Sequence, residues 1–266
     1  MIRLAANLDY LFRERPFMER FEAAARAGFG AVELLFPYDV PIAQLRQQLQ
    51  AHELELVLLN CLPGDTAAGE LGLAVLPGRQ ADAARIFGTA LEYAVELGCP
   101  TIHFLAGKPP PQVDRRSADQ VFLENLRAAA DRAQPHGIQL TLEPLNAGDR
   151  AGYHIERNEH AIALIDASGR DNVQLQLDLY HCRITHGDVA GEVERYRGRI
   201  GHVQIAGVPQ RVEPQYGEVD HAAVLERLDA DGYEGFIGCE YNPRGETLAG
   251  LSWATPYLNQ ALRGAR

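Results

Sequence analysis

Cysteine is scarce and positive charge is in deficit. Cys61, Cys99, Cys182 and Cys239 are the four cysteines among 266 residues, with no Cys-x-x-Cys spacing, and they lie in or beside apolar runs. That pattern excludes a disulfide framework and fits reduced, buried thiols in a cytosolic protein. Lys and Arg total 25 against 36 Asp and Glu, a formal net charge of −11. A non-specific nucleic-acid binder needs a basic face, so nucleic acid is not the expected partner. An anionic small molecule stays possible, because a few local cations can dominate a pocket. No apolar run reaches the roughly 18 residues of a membrane span, and Met1-Ile2-Arg3-Leu4 leads into a strand pattern with no basic-then-apolar leader before it. The expectation is a cytoplasmic protein with no membrane partner. No linker, low-complexity segment or internal repeat divides it, so residues 1–266 are read as one domain.

What is present is an alternation. Strand-like runs cover 2–8, 31–36, 54–60, 101–105, 139–143, 173–178, 200–205 and 236–240. Helical patterns begin near Pro16 and end at Gly28, then cover 42–51, 81–97, about 117–134, 158–167, 189–196, 222–231 and 248–262. Ser117 is the expected N-cap of its helix. A long Gly- and Pro-rich loop, 62–78, is expected to be functional or disordered. Successive strands start roughly 25 to 45 residues apart, as strand–helix units require. Eight such units in about 250 residues point to an α/β chain folded as a single (β/α)8 TIM barrel. An open doubly wound sheet is the alternative, but no Gly-x-Gly-x-x-Gly opens a helix after the first strand.

Catalytic residues of such barrels sit at the C-terminal strand ends. Those ends carry Asn7, Glu33, Asn60, His103, Glu143, Asp178, Gln204 and Glu240. By strand alternation Thr141 faces with Glu143, Gln174 and Gln176 with Asp178, and His202 with Gln204. So polar a lining suits a wet, charged pocket and not a dry core. Glu143, Asp178, Gln204 and Glu240 come from four adjacent strands. Three converging carboxylates repel one another, and a divalent cation resolves the conflict. An all-oxygen ligand set favours Mg2+ or Mn2+ over zinc. His181, just past the sixth strand, can donate to a substrate oxygen or orient a ligand. Arg211, in the loop after the seventh strand, is read as the cation for a substrate carboxylate or for developing negative charge. Lys108 and Arg79 are weaker versions of the same idea. Asn7 completes the substrate-facing group, and His103 is read as core or supporting. The bland alternatives are strand-end caps, surface ion pairs and solvated cations; they are plausible for each residue singly and less so for all together.

At these residues the chain resembles the hydroxypyruvate isomerase family, within the xylose-isomerase-like barrels. The resemblance spans nearly the whole chain. It is carried by Ala6-Asn7-Leu8, by Glu33-Leu34-Leu35-Phe36-Pro37-Tyr38-Asp39 and by Leu76-Pro77-Gly78-Arg79. Leu142-Glu143-Pro144-Leu145-Asn146, Leu177-Asp178-Leu179-Tyr180-His181, the run His202 to Pro209 and Gly238-Cys239-Glu240-Tyr241 complete it. It implies a metal-assisted aldose–ketose isomerisation, hydroxypyruvate to tartronate semialdehyde or a four-carbon 2-oxo acid likewise. Glu143 and Glu240 would be the paired proton donor and acceptor, and Glu143, Asp178, Gln204 and Glu240 the metal ligands. Gln204 stands where the related epimerases and endonuclease IV place histidine. Leu71 follows Glu70 where the family pattern would put an arginine; if that arginine holds a substrate carboxylate in relatives, this chain must use another cation or a different substrate. The expected partner is a small 2-oxo or hydroxy acid, and the reading admits a homo-oligomer.

The residues support this chemistry independently. Moving a carbonyl to the adjacent carbon takes a proton from one carbon and delivers it to the next. A chelated cation would acidify the C–H and stabilise the enediolate. The rivals are a ketose 3-epimerase with the same two-glutamate logic, an endonuclease IV-like phosphodiesterase and a non-catalytic sugar-acid binder.

Overall fold

Eight parallel strands close on themselves in sequence order. The computed structural model describes residues 1–258. The strands are β1 (Arg3–Asn7), β2 (Ala31–Leu34), β3 (Glu55–Asn60), β4 (Thr101–His103), β5 (Gln139–Leu142), β6 (Val173–Asp178), β7 (Ile200–Ile205) and β8 (Phe236–Cys239). Around them lie α1 (Arg20–Arg26), α2 (Ile42–Ala51), α3 (Gln80–Leu97), α4 (Arg115–Ala133), α5 (Asn158–Ser168), α6 (Leu179–His186), α7 (Val189–Arg195) and α8 (His221–Ala230). This is the expected (β/α)8 barrel. β1, β2, β4, β5 and β8 stop one or two residues short of the expected ends; after β5 and β8 the next residues are Glu143 and Glu240.

The helices pack because their apolar residues recur at helical spacing. In α3 the buried set is Ala83, Ile86, Phe87, Ala90, Leu91 and Ala94. Phe87 meets Phe104 edge-on at 5.9 Å between ring centres, and Phe104 meets Phe122 of α4 at 5.8 Å, which ties two helices to the end of β4. All four cysteines are free and buried, as expected.

Three local expectations are corrected and one alternative is narrowed. Asp114, not Ser117, caps α4: its side chain accepts from the Ser117 N–H at 3.0 Å, so Ser117 is already inside the first turn. No helix is expected over 179–186, yet His181 lies in α6, which starts directly from β6 with Asp178 as its N-cap. The 62–78 segment is ordered, because Val75 N–H donates to Ala106 O at 3.0 Å and Asn125 Nδ2 to Ala74 O at 2.8 Å. The closing helix expected over 248–262 is three short helical segments, Thr247–Gly250, Leu251–Ala254 and Thr255–Leu258; its expected last turn, 259–262, lies outside the described residues.

Register sets the depth of each functional side chain. Asp178 pairs with Gln204 across β6 and β7, and Asn7 with Glu33 across β1 and β2. Polar side chains from adjacent strands thus reach the same level at one end of the barrel.

Candidate active site

Glu143 and Glu240 each follow the last residue of a strand, β5 and β8, and Asp178 ends β6. All three are buried. Arg211 joins two of them: its Nη2 lies 3.1 Å from Asp178 Oδ2 and 3.3 Å from Glu240 Oε2. The guanidinium also stacks over the rings of Tyr180 and Tyr10, at 4.8 and 5.2 Å from their centres. Its backbone adopts a left-handed conformation with φ of 54°, uncommon for a residue other than glycine. Two contacts hold it there: Gly207 N–H donates to Val212 O at 2.7 Å, and Asn242 N–H to Arg211 O at 2.8 Å.

Burial raises the proton affinity of the whole carboxylate group. It pushes Glu240 up to about 8 from an ordinary 4.5; Arg211 opposes that shift and Asp178 adds to it. Glu143 is raised well above the ordinary carboxylate range, first by burial and then by the charges of Glu240 and Asp178. Asp178 is raised by burial, against the pull of Arg211 and two backbone N–H groups. For Arg211 burial disfavours the charge, but Glu240 and Asp178 outweigh it and strengthen its hold on the proton. Three carboxyls face one guanidinium. Fully ionised, the cluster would carry two uncompensated negative charges.

His181 has a defined tautomer. Its Nδ1 accepts from the Asn146 backbone N–H at 3.2 Å and lies 2.6 Å from Asn146 Nδ2. Nδ1 must therefore carry the lone pair and Nε2 the hydrogen. Burial, then Arg211, pushes its pKa down to about 3, so the ring is neutral. Nε2 lies 3.8 Å from Asp178 Oδ2 and 3.5 Å from Arg211 Nη1. Two donors thus face each other at 3.5 Å, and a substrate oxygen could accept from both. Ligating atoms of Glu143, Asp178 and His181 lie within 4.8 Å of one another, but the Nδ1 acceptor role removes His181 from a ligand set.

His103 Nδ1 comes within 3.3 Å of Glu143 Oε2. The approach is off-axis, and both its ring nitrogens lack a hydrogen-bond partner. Burial pushes its pKa down to about 3, so the contact is between a neutral ring and a carboxyl group.

Not every expected residue arrives. Lys108 is exposed in the loop after β4 and takes no part in the cluster. Arg79 is drawn away by Glu70 at 2.9 Å and Asp82 at 2.5 Å. Asn7 is fully buried and spent internally: its Nδ2 donates to Glu33 at 3.0 Å and its Oδ1 accepts from Asp9 N–H at 3.1 Å. Leu71 packs against the hydrophobic core, and the cation that meets the carboxylates is the half-buried Arg211. Gln204 is at the right level, with its amide held between Gln176 and Glu33. Tyr10, Tyr180 and Asn146 complete the site without having been singled out. Tyr180 and Asn146 stand next to or three residues beyond assigned positions, so proximity was the available signal.

Arg211→Met would strand Asp178 and Glu240 without their shared cation. The expected loss is about 3 kcal/mol of stability, measured by urea denaturation at neutral pH in EDTA.

A xylose isomerase-like TIM barrel family model matches residues 21–257. The chain belongs to that family. Within it, the chain is 47% identical to the 2-oxo-tetronate isomerase of Cupriavidus necator, over 98% of this chain and all of that one. It is 39% identical to the hydroxypyruvate isomerase of Escherichia coli, over 97% of this chain and all of that one. A crystal structure from Brucella melitensis, described as an AP endonuclease of family 2, superposes with a TM-score of 0.94 at 46% identity, covering 97% of this chain and 99% of that one. Full-length likeness to curated isomerases makes this xylose isomerase-like barrel an isomerase.

Proposed function

We propose that the protein is a divalent-metal-dependent isomerase of short 2-oxo acids, moving the carbonyl between C2 and C3. The observation that carries this reading is the cluster of three buried carboxyls with one arginine. Its charge deficit of two matches a divalent ion, and the burial that raises the carboxyl pKa values would be relieved by one. Glu143, Asp178 and Glu240 would supply carboxylate oxygens and Gln204 its carbonyl oxygen, a set suited to Mg2+ or Mn2+. When bound, the ion would draw electron density from the substrate carbonyl and acidify the neighbouring C–H.

The chain's own groups do the rest. Arg211 Nη1 and the His181 Nε2–H bind a substrate oxygen between them. Tyr10 and Tyr180 cover the guanidinium and exclude water from it. Glu143 and Glu240, from strands separated by β6 and β7, would take a proton from C3 and return one to C2 through an enediolate. A four-carbon 2-oxo-tetronate is favoured over hydroxypyruvate, because relatives named for it are 42–47% identical against 39% for the Escherichia coli hydroxypyruvate isomerase and 35–41% for relatives named putative hydroxypyruvate isomerases.

The test is an isomerase assay on 2-oxo-tetronate, hydroxypyruvate and neutral ketoses, each with EDTA or with added Mn2+ or Mg2+. Metal-dependent turnover should be highest on 2-oxo-tetronate, with hydroxypyruvate slower. Preferential turnover of neutral ketoses would replace this reading with a 3-epimerase. Nicking of DNA carrying abasic sites, with no isomerase turnover, would replace it with a phosphodiesterase. No helix among the described residues is long and apolar enough to cross a membrane.

A further inference from the structure

A buried carboxylate with no part in the proton transfers lies against the site. Glu33 of β2 is fully buried. Its side chain extends past β1 and β8 to reach β7, and Gly238 of β8 makes the passage. A Cβ at 238 would stand 2.0 Å from Glu33 Oε1 and 2.5 Å from its Cδ. Three N–H groups converge on this carboxylate: Asn7 Nδ2 and Gln204 Nε2 on Oε2, each at 3.0 Å, and His202 Nε2 on Oε1.

A carboxylate in this role only accepts. The atom of Gln204 that faces it is therefore the NH2 group, and the carbonyl oxygen is turned away. That oxygen accepts from Gln176 Nε2 at 2.7 Å, and Gln176 Oε1 accepts from the Thr141 hydroxyl at 2.7 Å. The relay runs one way, from Thr141 through Gln176 and Gln204 to Glu33. Its first member does not set the direction, because a hydroxyl accepts as readily as it donates. Its last member does.

We propose that Glu33 is a positioning residue that sets the polarity of the Gln204 amide, so that a carbonyl oxygen with a spare lone pair, and not an N–H, is offered to the cation. This rests on the metal reading above. With glutamine at 33, either amide atom can face Gln204, both glutamines can turn over together, and the reversed relay presents N–H groups that repel a cation.

The experiment titrates Mn2+ alone into the metal-free full-length protein and follows free Mn2+ by EPR. Far-UV circular dichroism and melting confirm the fold of each variant. Wild type is expected to bind. Glu33→Gln should weaken binding by about 10- to 100-fold, the range for losing a partner of a metal ligand. The swap Glu33→Gln with Gln204→Glu should recover affinity to within about threefold of wild type, because a carboxylate at 204 offers oxygen in either orientation and accepts from an amide at 33. Glu33→Gln binding like wild type, or a swap no tighter than the single variant, overturns the role of Glu33 and leaves the metal reading intact. Wild type that takes up no Mn2+ overturns the metal reading itself, and this role with it.

Discussion

Glu143→Gln is expected to lower kcat about 10³-fold, within the range for loss of a general acid–base group. The amide keeps the shape of the side chain and removes its ability to carry a proton. The same loss is expected for Glu240→Gln. Deuterium exchange then separates the two roles. The variant that retains the base for C3 should still wash solvent deuterium into that carbon without net turnover; the other should not. Both residues are buried, and both are raised in pKa while no cation offsets their charges. Turnover within tenfold of wild type in both variants would remove the two-glutamate mechanism.

Metal removal should bring turnover to background, and Mn2+ or Mg2+ should restore it. The same cluster ties that result to stability. Glu240 titrates near 8 in the folded protein against 4.5 ordinarily. Between those values the folded state keeps protons that the unfolded chain has released, so stability falls as pH rises. His103 and His181, pushed down to about 3 from 6.5, work in the opposite direction. Their gain, shared by His154 and His221, which burial also pushes down, is complete only about one pH unit above 6.5, once the unfolded imidazoles are neutral. From pH 7.5 to 9 Glu240 dominates, and the EDTA-treated protein should lose about 1 kcal/mol through it. Saturating Mn2+ should abolish the decline, because the ion takes the place of the protons. Urea denaturation at pH 7.5 and 9, with and without metal, checks both the sign and the linkage. A metal-free protein more stable at pH 9 than at 7.5 would contradict the geometry of the cluster.

The barrel and the level of its chemistry were legible in the chain alone. Alternating strand and helix periods leave few topologies, and the last residues of parallel strands share one end of a barrel. Oxygen-bearing side chains at 143, 178, 204 and 240 therefore had to meet at one mouth. Side-chain alternation also put Thr141, Gln176 and Gln204 on one face. The boundary of α6 was hidden because Asp178 both ends a strand and caps a helix. The cap of α4 was ambiguous because Asp114 and Ser117 both suit the position.

What only the tertiary structure decided are relations between strands distant in sequence. Glu33 meets His202 and Gln204 because the barrel closes and Gly238 leaves room, and no local pattern encodes a contact across 169 residues. Lys108 and Arg211 are alike as charges in a sequence. One is left in solvent, while the other is turned inward by a left-handed backbone and held between two carboxylates and two aromatic rings. Composition and periodicity place residues on an end or a face. Which of them meet, and with which protons, depends on how the folded chain encloses them.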